Sequence, residues 1–221
     1  MTGTLVAELG AALSPDRVRV GDTELALYKR DASNLEGHAG VVCFPTSTEE
    51  VQACVSLAVR HGRPFIARGA GTGLAGGATP LDDAMMIVTT KMNKVLSVDP
   101  VNRLAWVQPG VLNLDLTRAV SSLGLHFAPD PSSQQSCSIG GNVANNSGGP
   151  HCLSDGVTTA HILGLEVVLP DGQIAQLGGE EGEPEGYDLR GAFVGSEGMC
   201  GITTKVCVRL TQNPPVVRTM L

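Results

Sequence analysis

The 221-residue chain is long enough for one large domain or two small subdomains sharing a cleft. Its 42% hydrophobic and 17% charged residues exclude a disordered chain, and its net charge of −7 excludes the basic stripe that a nucleic-acid partner needs. No run of about 18 apolar residues is available to span a membrane. Glycine supplies 28 residues, nearly twice the ordinary share of about 7%, without a G-x-y period. With only 3% aromatics, such a composition points to many tight turns or to backbone pressed against a ligand.

In chain order, residues 4–13 read as a short helix ended by Ser14-Pro15, within an N-terminal segment 1–40. This start has no basic n-region and Glu8 interrupts its apolar run, so it does not read as a signal peptide. Residues 41–45 (VVCFP) form an apolar strand, and Ser47-Thr48-Glu49-Glu50 has the spacing of a capping box. Val51, Cys54, Val55, Ala58 and Val59 then mark one helical face that Gly62 closes, and Pro64–Ala67 is a second strand. Residues 41–67 are therefore a β-α-β unit. Three strands follow at 84–90, 95–99 and 103–109, then a helix over 112–124 capped by Asn113 or a neighbour and ended by Gly124. A long uncharged loop runs to Gly149. Residues 161–177 form a hairpin about Leu169-Pro170-Asp171-Gly172-Gln173, and 201–210 alternate as a half-buried strand. The proline-rich end, 213–221, reads as a linker leading out of a truncated or split chain.

Two glycine-rich segments carry the chemistry. Arg68-Gly69-Ala70-Gly71-Thr72-Gly73-Leu74-Ala75-Gly76-Gly77 opens directly from a strand, so consecutive amides can turn toward one point and cradle phosphate oxygens. Arg68 either pairs with those phosphates or organises the loop, and the Thr72 hydroxyl is a donor. The G-x-G-x-x-G at Gly71, Gly73 and Gly76 is not a dinucleotide fingerprint, because Pro80 and a strand follow where a helix should open. The second segment, Ser136 to Gly149, sets Asn and Ser between two Gly-Gly pairs and suits a large planar polar ligand. A third, Gly195 to Ile202, leads into the last strand.

Other polar groups carry less. Cys43, Cys54, Cys137, Cys152, Cys200 and Cys207 have no C-x-x-C spacing, so reduced thiols in a cytosolic protein are expected. His151, Cys152, Asp155 and His161 match no metal pattern, and the acidic run 178–188 reads as a solvated loop.

Taken together, RGAGTGLAGG, SCSIGGNVANNSGG, HILGLEVVLPDG and GSEGMCGI resemble, in that order, the FAD-binding domain of the vanillyl-alcohol oxidase/p-cresol methylhydroxylase superfamily. Within it the similarity is greatest to the group of glycolate oxidase D subunits and FAD-dependent D-lactate dehydrogenases, over about residues 25–212. The resemblance implies an α+β fold of the p-cresol methylhydroxylase (PCMH) type: a small β-α-β subdomain (about 41–110) and a larger, mostly antiparallel one (111–212), with FAD between them. Arg68, Gly69, Ala70, Gly71, Thr72, Gly73 and Leu74 would hold the pyrophosphate. Pro129, Asp130, Ser136, Cys137, Ser138, Gly140, Gly141, Asn142, Asn145, Asn146, Ser147 and Gly148 would line the pyrophosphate, ribityl and flavin regions, with Gly201 and Ile202 touching FAD from the final strand. Thr72 stands where covalent members carry His, which implies non-covalent FAD. Asp155 departs from the Tyr common in glycolate oxidase relatives.

The family reaction passes the C2 hydride of a small D-2-hydroxy acid to flavin N5 while a His takes the hydroxyl proton. The cap domain that supplies that base, the metal ligands and the carboxylate-binding Arg is expected beyond residue 221, so no catalytic or metal residue is assigned here. Partner oxidase subunits and a cytoplasmic location, peripheral to a membrane through those subunits, complete the expectation. The alternatives are a complete electron-transfer subunit of a hetero-oligomeric oxidase, and a reductase using NADPH and an enolpyruvyl sugar nucleotide.

Overall fold

A computed structural model describes residues 2–81, 83–181 and 186–216. The chain opens with helix α1 (Thr2–Leu13), strand β1 (Val18–Arg19), the short helix α2 (Asp22–Leu25), β2 (Ala39–Cys43), α3 (Thr48–Arg60), β3 (Phe65–Arg68) and β4 (Ala84–Val88). Next come β5 (Val95–Asp99), β6 (Leu104–Val107), α4 (Asn113–Val120), β7 (Leu125–His126), α5 (Ile139–Asn145) and α6 (Cys152–Asp155). The last elements are β8 (Ile162–Val168), β9 (Ile174–Gly178), α7 (Leu189–Phe193), β10 (Ile202–Arg209) and β11 (Thr211–Gln212).

The fold is α+β, built on two main sheets. The first has the order β1-β2-β4-β3, with β2 and β3 each parallel to β4 and β1 antiparallel to β2. The expected β-α-β unit is thus split, with β4 inserted between its two strands. This explains the continuous run Ala84–Val88: a central parallel strand is covered on both faces, so it needs no alternation. Val41, Cys43, Met85 and Ile87 pack under α1 and α3, while Val42, Phe44, Met86 and Val88 pack on the opposite face with Leu25.

Helix α3 begins where the spacing predicts. The Ser47 side chain accepts from the Glu50 amide at 3.3 Å. The reciprocal half of the box is absent, because the Glu50 carboxylate turns to the Thr46 amide at 2.7 Å and to Arg17. Val59, expected on the buried face, is 56% exposed, and Leu57 is buried instead. The cause is α1, whose Leu5, Leu9 and Leu13 enter the same core and cover the Leu57 side of α3. The N-terminal segment is therefore part of the first unit.

The second sheet has the order β5-β6-β10-β8-β9, antiparallel throughout. Strands β5 and β6, expected with the first subdomain, belong here because β6 pairs along β10 from Val107↔Val206 to Leu104↔Arg209. Leu116 and Val120 of α4 and Ile139 and Val143 of α5 cover one face against Val107, Leu165, Val206 and Val208. Strand β10 is buried on both faces rather than half-buried, as its central position requires. Val168 and Ile202, at the ends of β8 and β10, cross into the core of the first sheet and join the two units. A small third pairing, β7 with β11, brings the chain end back onto the molecule.

Two further expectations meet structure differently. The long uncharged loop contains α5, with Ser138 as its cap, accepting from the Gly141 amide at 3.3 Å. Helix α4 starts after Leu112 without a side-chain cap, and Asn113 is buried inside it instead. The middle of the acidic run (182–185) and the end of the expected linker (217–221) lie outside the described residues.

Burial of α1 makes a direct prediction. Leu9 is fully buried, so Leu9→Ala should cost about 2–5 kcal/mol of stability. Leu27, 76% exposed, should change by no more than about 0.5 kcal/mol when cut to Ala. Denaturant midpoints at an unchanged slope would measure both, and equal effects would show that α1 is not docked.

Candidate functional site

A cleft of about 270 Å³ lies between the two sheets. One wall is the loop after β3, from Arg68 to Ala75 with Gly77 and Ala78; the other is the start of α5 with the turn at Glu197-Gly198. Thr203, Ile202 and Gly201 at the entry to β10 also line it, as do Thr89 and Pro109. The floor is closely packed at two glycines. A methyl group on Gly69 would overlap Ser138 Oγ, and one on Gly140 would come within 2.7 Å of Pro109 Cβ, so these positions admit only glycine without a shift.

The loop amides are the notable donors. Among the described residues, none of the amides of 70–75 donates to a carbonyl or side chain, although each of those residues lines the cleft. A run of successive uncommitted N–H groups is an anion-binding concavity. At α5, by contrast, the amides are already engaged: Ile139 with Val111 O and Gly140 with Pro109 O, both at 2.8 Å. The capacity for phosphate therefore sits on the glycine loop.

Arg68 organises that loop. Its Nη1 donates to Ala78 O at 2.9 Å, tying the two ends together, and its guanidinium lies 5.8 Å from the Tyr28 ring centroid. Burial lowers its pKa from the ordinary arginine value, against the attraction of Asp31 and Tyr28. The segment before β2 helps, a contribution with no counterpart in the sequence reading. Asp31 accepts from the Ser33 amide at 2.8 Å and the Ala78 amide at 3.4 Å, and the Ala32 amide donates to Gly73 O at 3.1 Å. Burial alone would raise the Asp31 carboxyl, but the Ser33 hydroxyl and these amides hold it below the usual carboxylate value. The Asp31-Ala32-Ser33 turn was the available signal.

Most of the expected contact residues converge here: Arg68 to Leu74, Cys137, Ser138, Gly140, Gly141, Asn142, Asn145, Ser147, Gly201 and Ile202 all line the cleft. Pro129, Asp130, Ser136, Asn146 and Gly148 do not, and each has a local task. The Pro129 carbonyl accepts from buried Asn113, whose amide also reaches Asn142 Oδ1 at 3.0 Å. Asn146 ends α5 in the left-handed region and binds the Thr159 amide at 2.9 Å. Ser136 turns back to Ser133 O, and Gly148 packs against Cys152 Sγ. Asp130 lies against the Gly149 backbone and pairs with His151 Nδ1 at 2.5 Å, clasping the loop that follows α5. Sequence reasoning also missed Ser133, Phe193 and Thr203, which only the tertiary fold brings to the cleft, and it named Glu197 only within the Gly195–Ile202 segment without giving it a ligand role. Among the described residues, no three His, Cys, Asp or Glu side chains come together as a metal site.

The fold is two α+β units with a cleft between them, and a loop of uncommitted amides suited to an anion lines that cleft. Residues 39–178, more than half of the chain, match the family model described as FAD binding domain, and the chain belongs to that family. It is 45% identical over 201 residues to glycolate oxidase subunit GlcD of Escherichia coli (strain K12), covering 90% of this chain and 40% of that one. It is 37% identical over 212 residues to a D-lactate dehydrogenase of Anaerostipes hadrus, covering 95% of this chain and 44% of that one. A structure of p-cresol methylhydroxylase with substrate bound superimposes with a TM-score of 0.83 at 24% identity, over 97% of this chain and 43% of the other, which shows the PCMH-type fold. The chain thus spans about two-fifths of the length of the curated relatives it matches. FAD is its cofactor, and the cleft fits that group: uncommitted loop amides for a pyrophosphate, and glycines where side chains would fill the space.

The contact at Gly69 and the Asp130–His151 clasp each make a prediction. Gly69→Ala should leave the purified protein with less than about a tenth of the wild-type flavin, because the added methyl pushes the loop off Ser138. Gly3→Ala, with nothing within 4 Å, should retain it. The His151 pKa is raised from 6.5 by the hydrogen bond and charge of Asp130. A raised folded pKa makes the clasp's contribution full below about 6.5 and lost as pH climbs through the higher folded value. Amide exchange over 148–152, corrected for intrinsic rates, should therefore quicken above that value in the wild type and show no such step in His151→Gln.

Proposed function

We propose that the chain is the FAD-carrying part of an enzyme that oxidises a small D-2-hydroxy acid, glycolate or D-lactate. The observation that carries this reading is the run of uncommitted amides at 70–75 lining a cleft between the two units. The relatives named for glycolate and D-lactate supply the substrate class.

When bound, FAD supplies the hydride-accepting chemistry, and the protein's share is binding, orientation and exclusion of water. The amides of Ala70 to Leu74, with the Thr72 hydroxyl, would hold the pyrophosphate. Arg68 and Asp31 would keep that loop in shape from behind. Ser138, Gly141, Asn142 and Asn145 on α5, with Ser147 beyond it, would bound the opposite wall, and Gly201, Ile202 and Thr203 the end of the cleft. Thr72 offers no nucleophilic ring nitrogen at its place in the loop, so the flavin is held without a covalent bond. The substrate and its base would be met by a further part of the protein, and partner oxidase subunits would take the electrons. The six free cysteines suit a reducing, cytoplasmic setting.

The test is spectroscopic and then kinetic. The purified protein should show flavin bands that move to the supernatant on acid precipitation; flavin kept in the pellet would contradict the non-covalent reading. The full-length protein should reduce its flavin with glycolate or D-lactate under anaerobic conditions. Failure with both, in protein that holds FAD, would contradict the substrate class.

A further inference from the structure

One buried carboxylate outside the cleft ties the two sheets together. Glu166 lies on β8, with its side chain only 10% exposed. It accepts from four side chains on three other elements: Thr48 Oγ1 at 2.5 Å, Thr204 Oγ1 at 3.0 Å, Lys205 Nζ at 2.9 Å and Gln176 Nε2 at 3.0 Å. Thr204, Lys205 and Gln176 belong to the same sheet as Glu166. Thr48 does not; it is the first residue of α3, in the other unit. Thr48 and Thr204 are 4% and 0% exposed, so these bonds form away from water.

The register explains how one carboxylate serves so many donors. The pairing of β10 with β8 steps from Thr203↔Val167 to Lys205↔Glu166, leaving Thr204 in a bulge, so Thr204 and Lys205 both reach Glu166. The residues just before the bulge, Ile202 and Thr203, line the cleft. A displacement at Glu166 is thus passed within two residues to the cleft wall. Burial alone would raise the Glu166 carboxyl, but the Thr48 hydroxyl, Lys205 and Thr204 hold it below the usual carboxylate value.

We propose that Glu166 is a positioning residue for the cofactor: through Thr48 on one unit and the β10 bulge on the other it sets the spacing of the cleft walls and so the grip on FAD. This rests on the reading that FAD occupies the cleft. Removing the bond between units should weaken FAD binding, whereas removing a bond within the sheet should lower stability alone.

The experiment is an equilibrium FAD titration of the full chain, followed by flavin fluorescence, with thermal midpoints of each flavin-free protein. Thr48→Val should bind FAD roughly tenfold more weakly. Thr48→Ser, which keeps the hydroxyl, should return within about twofold of wild type. Gln176→Leu should stay within about twofold even with a lowered midpoint. If Thr48→Val does not fold, Thr48→Ala replaces it with the same expected loss. Equal affinity in wild type and the Thr48 variant, or an equal loss in Gln176→Leu, would overturn the positioning role while FAD binding stands. Absence of FAD binding by the wild type would overturn the reading of the cleft itself.

Discussion

The structure depends on the close approach of the loop after β3 to the cap of α5, where the units meet. Gly69 of the first unit faces the Ser138 side chain that caps α5, too close for a methyl group, and within the second unit Gly140 sits against Pro109. Because the chains touch there, the loop after β3 stands directly across from α5, and a narrow cleft opens above the contact. The loop's hydrogen-bonding capacity is then left over: its ends are tied by Arg68 and Asp31, but among the described residues its middle amides have no acceptor. Half-buried to exposed at the cleft, these donors are placed to complete their hydrogen bonding with an anionic ligand.

Around that contact the packing is conventional, and its purpose is to fix two sheets relative to one another. Val168 and Ile202 reach from the second sheet into the core of the first, and Glu166 bonds across to Thr48. Apolar burial holds the units together without fixing direction, each fully buried Val or Ile contributing about 1.5–3 kcal/mol. The polar network adds direction, because Glu166, held within its own sheet by Thr204, Lys205 and Gln176, also bonds to Thr48 of the other unit. The cleft is therefore bounded by rigid elements, which suits a cofactor that must be oriented rather than enclosed.

Much of this was legible in the sequence, for identifiable reasons. The strands at 41–45, 95–99 and 161–177 carry strong local signals, and the Pro-Asp-Gly turn and the Ser47 cap sit where their chemistry requires. The glycine loop after β3 was readable because so many glycines outside a helix or strand have few structural uses. What escaped was decided by tertiary partners. Helix α5 was hidden because Gly140 and Gly141 lower helix propensity, and close packing against Pro109 decides in favour of the helix. The allocation of β5 and β6 rested on pairing with β10, about a hundred residues away. The roles of Asp31 and Phe193 depend on which segments the fold brings to the cleft, which local spacing does not encode.

Amide hydrogen exchange reads the uncommitted amides directly. Residues 70–75 should exchange at close to unprotected rates in the flavin-free protein, because nothing accepts their hydrogens, and should slow by tenfold or more once FAD is added. Amides already protected without FAD, or unchanged by saturating FAD, would contradict the account of the cleft as a pyrophosphate cradle.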